Sequence, residues 1–320
     1  MHEFVDTYAG YLAGLATSLL WTCTSLVFTA AGRRLGVTFV NGGRILLAIL
    51  LLATTLRLTA GSWWPPVQMR QVALLGASGI IGLAIGDQAL LTSFLDIGPR
   101  RASLIMTAAP LFAALFGWVA LNERLSVTAW LGIVATVGGV AWVIAERRES
   151  EFGAHPPRAA RGYGLALLAA ACQAGGLLLS KEGMGHGWLL REQMLSPQPA
   201  ALVRMTFAGA VMVPLLGMRI WREMQRRRAG LPRQTQGSRT AGVVLTTIGA
   251  VAGPYLGVWM SLIASDRAPL GIAQTFCSLT PIFILPFAAK MHGERITARS
   301  ALGASVAVAG LGLLFLKPSE

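Results

Sequence analysis

The sequence predicts an all-α integral membrane protein with ten transmembrane helices, arranged as two inverted five-helix repeats. Three observations carry this. First, 54% of the 320 residues are hydrophobic, only 13% are charged, and mean hydropathy is +0.60. The charges are clustered and leave apolar runs of about 20 residues between them, the length that crosses a hydrocarbon core. Second, residues 98–144 recur without a gap as residues 269–315, so that Ala102 falls on Ala273, Pro110 on Pro281, Phe112 on Phe283 and Gly139 on Gly310. Each copy holds a proline-bearing apolar run, a Glu-Arg turn (Glu123-Arg124, Glu294-Arg295) and a second apolar run rich in small residues. So regular a repeat sets the frame for the rest of the chain. Third, each repeat has room for five spans. Five is odd, so the second unit must enter the membrane from the opposite side, an arrangement that recurs in secondary transporters.

Taken in order, the spans fall at about 9–30, 41–58, 71–95, 100–121, 127–145, 162–181, 199–218, 240–263, 269–290 and 298–316. Trp63 and Trp64, ahead of Pro65-Pro66, suit a membrane interface after the second span. Residues 1–148 form the first five-helix unit and residues 162–320 the second. Residues 149–161 are a polar linker, where Pro156-Pro157 makes a poor helix and a good hinge. The duplication extends beyond the hairpin. Gly10-Tyr11 matches Gly162-Tyr163, which pairs Trp21 with Gln173, and the segment Asn41 to Arg44 matches Ala201 to Arg204. The growing offset places the extra residues in loops near 183–198 and 221–238.

A proline in the fourth helix, a Glu-Arg turn and a glycine-bearing fifth helix, all present twice in a ten-helix chain, resemble the EamA-type transporters of the drug/metabolite transporter superfamily. The resemblance covers nearly the whole chain and implies transport of a small solute. It is uninformative on the substrate, because members carry amino acids, sugars, nucleotide-linked metabolites and drugs. It also implies termini inside the cell. The charges point the other way: nineteen of the 27 lysines and arginines lie on the side of the 1–2, 3–4, 5–6, 7–8 and 9–10 connections, which the positive-inside rule assigns to the cytoplasm.

The net charge of +13 sits mostly in loops, and no basic groove with interleaved aromatics suggests nucleic acid. Cys23, Cys172 and Cys277 all fall inside apolar runs, as packing residues rather than a disulfide framework or metal site. No histidine lies within a span, no phosphate loop is present, and no Ser-His-Asp spacing or paired intramembrane carboxylates appear. The reading therefore includes no enzyme, no metal and no cofactor.

The candidate site residues lie within the spans. Asp87, in the third span beside Gln88, is an acid where acids are costly and usually face a cavity or a partner. Its two readings are a proton-coupling or substrate-amine site and a hydrogen-bonded acid fixing a kink beside Gly86. The repeat places Val258 opposite it. Arg44 and Arg204 occupy matched positions, to bind an anionic group or to snorkel to the interface. Tyr255 and Trp259 share a helix face, and with Gln173 they suit a cavity for a small organic ligand. Pro110 and Pro281 are hinge or kink candidates. Glu123-Arg124 and Glu294-Arg295 read as structural turns, with Ser126 and Thr297 placed to cap the next helix, or as gating ion pairs. The stripe Ala301, Ser305 and Ala309 reads as close helix packing, within the chain or in a homodimer.

The expected function is secondary transport of a small metabolite or drug-like solute by alternating access, with protons as the candidate coupling ion. The expected partners are the lipid bilayer and that solute, and the expected location is a bacterial cytoplasmic (inner) membrane. The alternatives are a membrane enzyme acting on a lipid-linked substrate and a non-transporting scaffold.

Overall fold

In the computed structural model, residues 2–146, 158–187, 194–229, 237–280, 282–283 and 298–316 are described. Pro281, Glu294, Arg295 and most of the 149–161 linker lie outside them. All regular structure among the described residues is helical. The helices are α1 (His2–Leu35), α2 (Val37–Ala60), α3 (Met69–Ser78), α4 (Asp87–Met106), α5 (Ala109–Leu121) and α6 (Val127–Glu146). The second half supplies α7 (Ala159–Gly183), α8 (Pro197–Arg228), α9 (Arg239–Ala250), α10 (Val258–Arg267), α11 (Leu270–Cys277) and α12 (Ala298–Leu316). Two π-helical stretches, Gly79–Gly86 and Val251–Gly257, join α3 to α4 and α9 to α10.

Seven helices among the described residues are long and apolar enough to cross a membrane, and Val127–Trp142 and Leu302–Leu314 are shorter apolar helices. The span expected at 269–290 begins as α11, and most of its remainder lies outside the described residues. Element ends follow backbone chemistry. Gly36, Gly61 and Gly98 all have positive φ, a conformation costly to residues with a Cβ. Gly98, with φ 83° inside α4, separates the third span from the fourth. Ser126 Oγ accepts the Ala129 N–H at 3.1 Å and so caps α6, as its position after the Glu-Arg turn predicts.

Helices of the first half pack antiparallel on helices of the second. Gln198 of α8 bonds the Leu52 carbonyl, while Gly42 of α2 abuts Leu216 further along α8. In α6, Gly132 faces Gly310 and Leu314 of α12, whereas Gly139 faces Gly303 and Ala307. Gly10 of α1 meets Arg267 of α10, and Gly249 of α9 meets Phe28. Because α2 with α8 and α6 with α12 are repeat partners, the axis relating the halves runs across the helices rather than along them. One end of the bundle therefore carries Tyr8, the Glu123 turn and Leu314, here called the terminal face. The opposite, linker face carries Leu35, Gly98 and Arg158. The main core, with Ile45, Leu52, Leu75, Leu177, Leu202 and Met205 fully buried, lies between α2, α3, α7 and α8.

Helices α6 and α12 pack closely, and inside the chain they use a different stripe from the one singled out in the sequence. Ser305 and Ala309 face outward, which removes the within-chain reading and leaves packing on a second copy, and the stripe that packs is Gly303, Ala307 and Gly310 against Gly132, Thr136 and Gly139. Both stripes have helical spacing, so periodicity alone could not choose between them. A Cβ at Gly139 would lie 2.5 Å from the Gly303 carbonyl oxygen and the Ala307 nitrogen, backbone atoms that cannot yield without moving the helix. At Gly138 a Cβ would meet nothing within 4 Å. Gly139→Ala is expected to destabilise the protein by about 1–3 kcal/mol through overpacking. Gly138→Ala should be neutral or slightly stabilising, since alanine is the better helix former. Unfolding midpoints of the two variants in one detergent check this.

Candidate functional site

The π stretches do the same job at repeat-related places. Asp87 N–H bonds to the Gly82 carbonyl and Val258 N–H to the Gly253 carbonyl, each five residues back. Such wide turns change the direction of every side chain that follows and are frequent at functional sites. Two helices are also interrupted in matched positions. Tight bonds from Ala108 N to Ile105 O (3.0 Å) and from Ser278 N to Thr275 O (3.1 Å) end α4 and α11. Pro110 sits in the first turn of α5, where its missing N–H costs nothing. It therefore opens a new helix instead of kinking a continuous one, which refines the sequence reading. Its partner Pro281 is outside the described residues.

Where the π stretches and the helix breaks converge, they enclose a cavity of about 150 Å³. Its charged lining consists of Arg44, Asp87 and Arg204, its amides are Gln173 and Gln274, and Trp21, Phe28 and Phe94 form aromatic wall. Thr107 and Ser278, from the two breaks, also face it.

The electrostatic centre is an ion pair between Arg44 and Asp87, with side chains 9% and 19% accessible. It is held by a polar chain. Arg44 Nε donates to Asn41 Oδ1 at 3.0 Å, Asn41 Nδ2 lies 3.4 Å from Gln88 Oε1, and Gln88 Nε2 donates to Thr38 Oγ1 at 3.1 Å. The Phe28 ring lies 4.9 Å from the Arg44 guanidinium carbon, a cation–π contact. Neither Arg44 nor Arg204 snorkels to an interface. Each lies about two turns inside its helix, and they are only 8% and 2% exposed. Arg204 Nε is buried without a hydrogen-bond partner among the described residues.

The structure thus brings together Asp87, Arg44, Arg204 and Gln173. It places Gln88 behind them, orienting Asn41 rather than lining the cavity. Tyr255 and Trp259 do share a face, with ring centroids 6.2 Å apart, but neither lines the cavity. Tyr255 packs on the main core and its hydroxyl lies 2.9 Å from Thr55 Oγ1.

Glu123 does more than shape a turn. Its carboxylate receives Lys181 Nζ at 2.6 Å and the Leu270 N–H at 2.7 Å, tying the first-half hairpin to two elements of the second half. Lys181 also donates to the Ala268 carbonyl at 2.6 Å. Arg124 is exposed beside it. Lys181 went unremarked in the sequence, although a lysine closing an apolar run was a usable signal. Asp96 was missed too. At the linker face it pairs both carboxylate oxygens with Arg161 at 2.7 Å.

The two faces are not equivalent. Every residue of α11, from Leu270 to Cys277, is buried. In the repeat-related segment 101–106, only Ala102 is buried and the others are half-exposed.

A family model described as the EamA-like transporter family matches residues 8–145 and again 160–316. The chain belongs to the EamA-like transporter family. No curated protein matches this EamA-like chain. Among solved structures, one described only as a crystal structure of a protein superposes with a TM-score of 0.70. It is 15% identical, and the match covers 96% of each chain, a likeness that shows the shared fold.

Breaking the central pair has a calculable cost. Asp87→Asn leaves the Arg44 cation buried without its partner, which typically costs about 3–5 kcal/mol. Asp87→Asn combined with Arg44→Met removes both charges and should recover most of the loss. Apparent unfolding midpoints of the single and double variants check this, and an Asp87→Asn protein as stable as wild type would contradict the pair's role.

Proposed function

We propose that this EamA-like protein is a ten-span secondary transporter of inverted topology, moving a small solute through the Asp87 cavity by alternating access. The observation that carries the proposal is the unequal burial of α11 and its repeat counterpart. Two halves of like fold, related across the bundle, give two like gates. In an alternating-access carrier, one gate is shut while the other is open. Here the segment at the terminal face is fully buried, and the matched segment at the linker face is half-exposed and leads past Ser103 and Met106 into the cavity.

The asymmetry has a chemical origin. Glu123 closes the terminal face by accepting from Lys181 and from the Leu270 N–H. At the repeat-related positions of the first half, lysine is replaced by Thr29 and Leu270 by Pro99, which has no N–H to give. The matched positions therefore supply neither the ammonium of Lys181 nor the N–H of Leu270 at the linker gate. Asp87 is the one carboxylate among the described cavity-lining residues, which makes it the site for protons as a coupling ion. A cytoplasmic membrane, the lipid bilayer and a small-molecule substrate complete the proposed setting.

The test is one-sided thiol labelling. In a background lacking Cys23, Cys172 and Cys277, Ser103→Cys and Ile272→Cys are each exposed to a membrane-impermeant maleimide in proteoliposomes. The Ser103→Cys variant should react from the linker face, and the Ile272→Cys variant, buried in α11 outside the cavity lining, should be protected. Adding Glu123→Gln should raise labelling at position 272 from the terminal face several-fold and lower it at 103. Equal labelling at both positions, unmoved by Glu123→Gln, would sink the proposal.

A further inference from the structure

We infer that the transported solute is a small organic anion, and that Arg204 receives its carboxylate or comparable oxyanion; this assignment rests on the transporter reading above. The first support is a charge count. Among the described residues lining the cavity, the only charged ones are Arg44, Asp87 and Arg204. Asp87 is in direct ion pair with Arg44 and acts on Arg204 only through its field, so two guanidinium charges share one carboxylate and one positive charge is left in excess.

The second support is hydrogen bonding. A guanidinium carries five N–H donors in a fixed fork. Arg204 is buried, and its Nε has no hydrogen-bond partner among the described residues. A cation so placed inside a membrane protein is costly, and its presence marks a site where a ligand supplies what the protein withholds. Carboxylates match the guanidinium fork in two parallel bonds.

The third support comes from the repeat. Arg44 and Arg204 are copies of one ancestral position, as are Asp87 and Val258. The first half keeps both members of the pair. The second half keeps the arginine and carries valine where the acid would stand, and Val258 lines the same cavity. The second arginine is therefore buried with no acid of its own half at the matched position.

The head of Arg204 is also held in place. A Cβ at Gly82 would lie 2.7 Å from its Nη2 and one at Gly176 3.2 Å away, so both positions are glycine and leave a slot for the guanidinium. A site fixed by its surroundings in this way binds without paying to order the side chain. The rest of the cavity describes the rest of the solute. Gln274 Oε1 is buried and unpartnered, an acceptor for an N–H or O–H on the ligand. The wall of Trp21, Phe28 and Phe94 suits an apolar body. A volume of about 150 Å³ is that of a cavity that accommodates a single benzene ring.

The experiment compares matched probes on the purified full-length protein: benzoate and phenylacetate, their amides benzamide and phenylacetamide, and the amines benzylamine and phenethylamine. A ligand that binds the folded state raises the unfolding midpoint with its occupancy. The carboxylates should raise the midpoint by several degrees, and the amides and amines should not. Arg204→Gln should weaken the carboxylate response at least tenfold in concentration, while Arg204→Lys should keep part of it. The baseline midpoint of Arg204→Gln should be no lower than that of wild type, since it removes the positive charge left in excess in the cavity. Val258→Asp, which restores the missing counter-ion without touching Arg204, should also abolish the carboxylate response.

Stabilisation by amides or amines as strong as by carboxylates, a carboxylate response that survives Arg204→Gln, or no response to any probe would overturn the assignment. Tracer uptake into proteoliposomes separates the two readings. Uptake of an amine or amide would remove the anion assignment and leave the carrier standing. Carboxylate binding without any uptake would keep Arg204 as the binding group and remove the carrier.

Discussion

Two guanidinium groups and one carboxylate are buried inside a bundle whose outside is hydrocarbon, and much of the interior is arranged to hold them. Isolated charges at this depth are expensive. Arg44 is accommodated by Asp87, Asn41 and the Phe28 ring. Asp87 can reach Arg44 because a π stretch ends on its own backbone N–H and resets the direction of α4. Arg204 is accommodated by glycines in the facing helices and by the field of Asp87, without a direct ion pair among the described residues. The cavity exists where these demands meet.

A second constraint is that one gate-forming hairpin is used twice with unequal sequence. The fold supplies like halves; the proposed alternating access requires that the two gates not be open together. Glu123 meets a lysine and an N–H at the terminal face, while Thr29 and Pro99 occupy the corresponding positions at the other. Two hydrogen bonds, one of them also an ion pair and both partly buried, are of the size that would bias the proposed two-state equilibrium by a few kcal/mol. The bias remains small enough for a bound solute to reverse it.

Much of this was legible in the sequence, for reasons that can be named. The helical class followed from hydropathy, because a bilayer leaves few alternatives to the helix. The two-repeat architecture followed from residues repeated at a constant offset, such as Pro110 and Pro281 or Gly139 and Gly310. Asp87, Arg44 and Arg204 stood out because charges in apolar runs need a reason. What could not be read was which partner each group meets. That Arg44 pairs directly with Asp87 while Arg204 makes no direct ion pair among the described residues depends on the π stretches, whose trace is the pair of glycines at Gly82 and Gly86 repeated at Gly253 and Gly257. Those glycines read equally well as packing. Tyr255 and Trp259 misled because a shared helix face does not say which neighbour it faces. Ser305 and Ala309 face away from α6 for the same reason.

The central claim is that the two faces open in alternation around a fixed site. Its most direct measurement is the distance distribution between spin-label pairs in lipid nanodiscs, one pair at Arg124 and Arg267 on the terminal face and one at Arg33 and Arg158 on the linker face. All four are exposed. The account predicts two populations at each face, the longer terminal distance growing with Glu123→Gln as the longer linker distance declines. A single distance at both faces, unchanged by Glu123→Gln and by every solute tried, would contradict it.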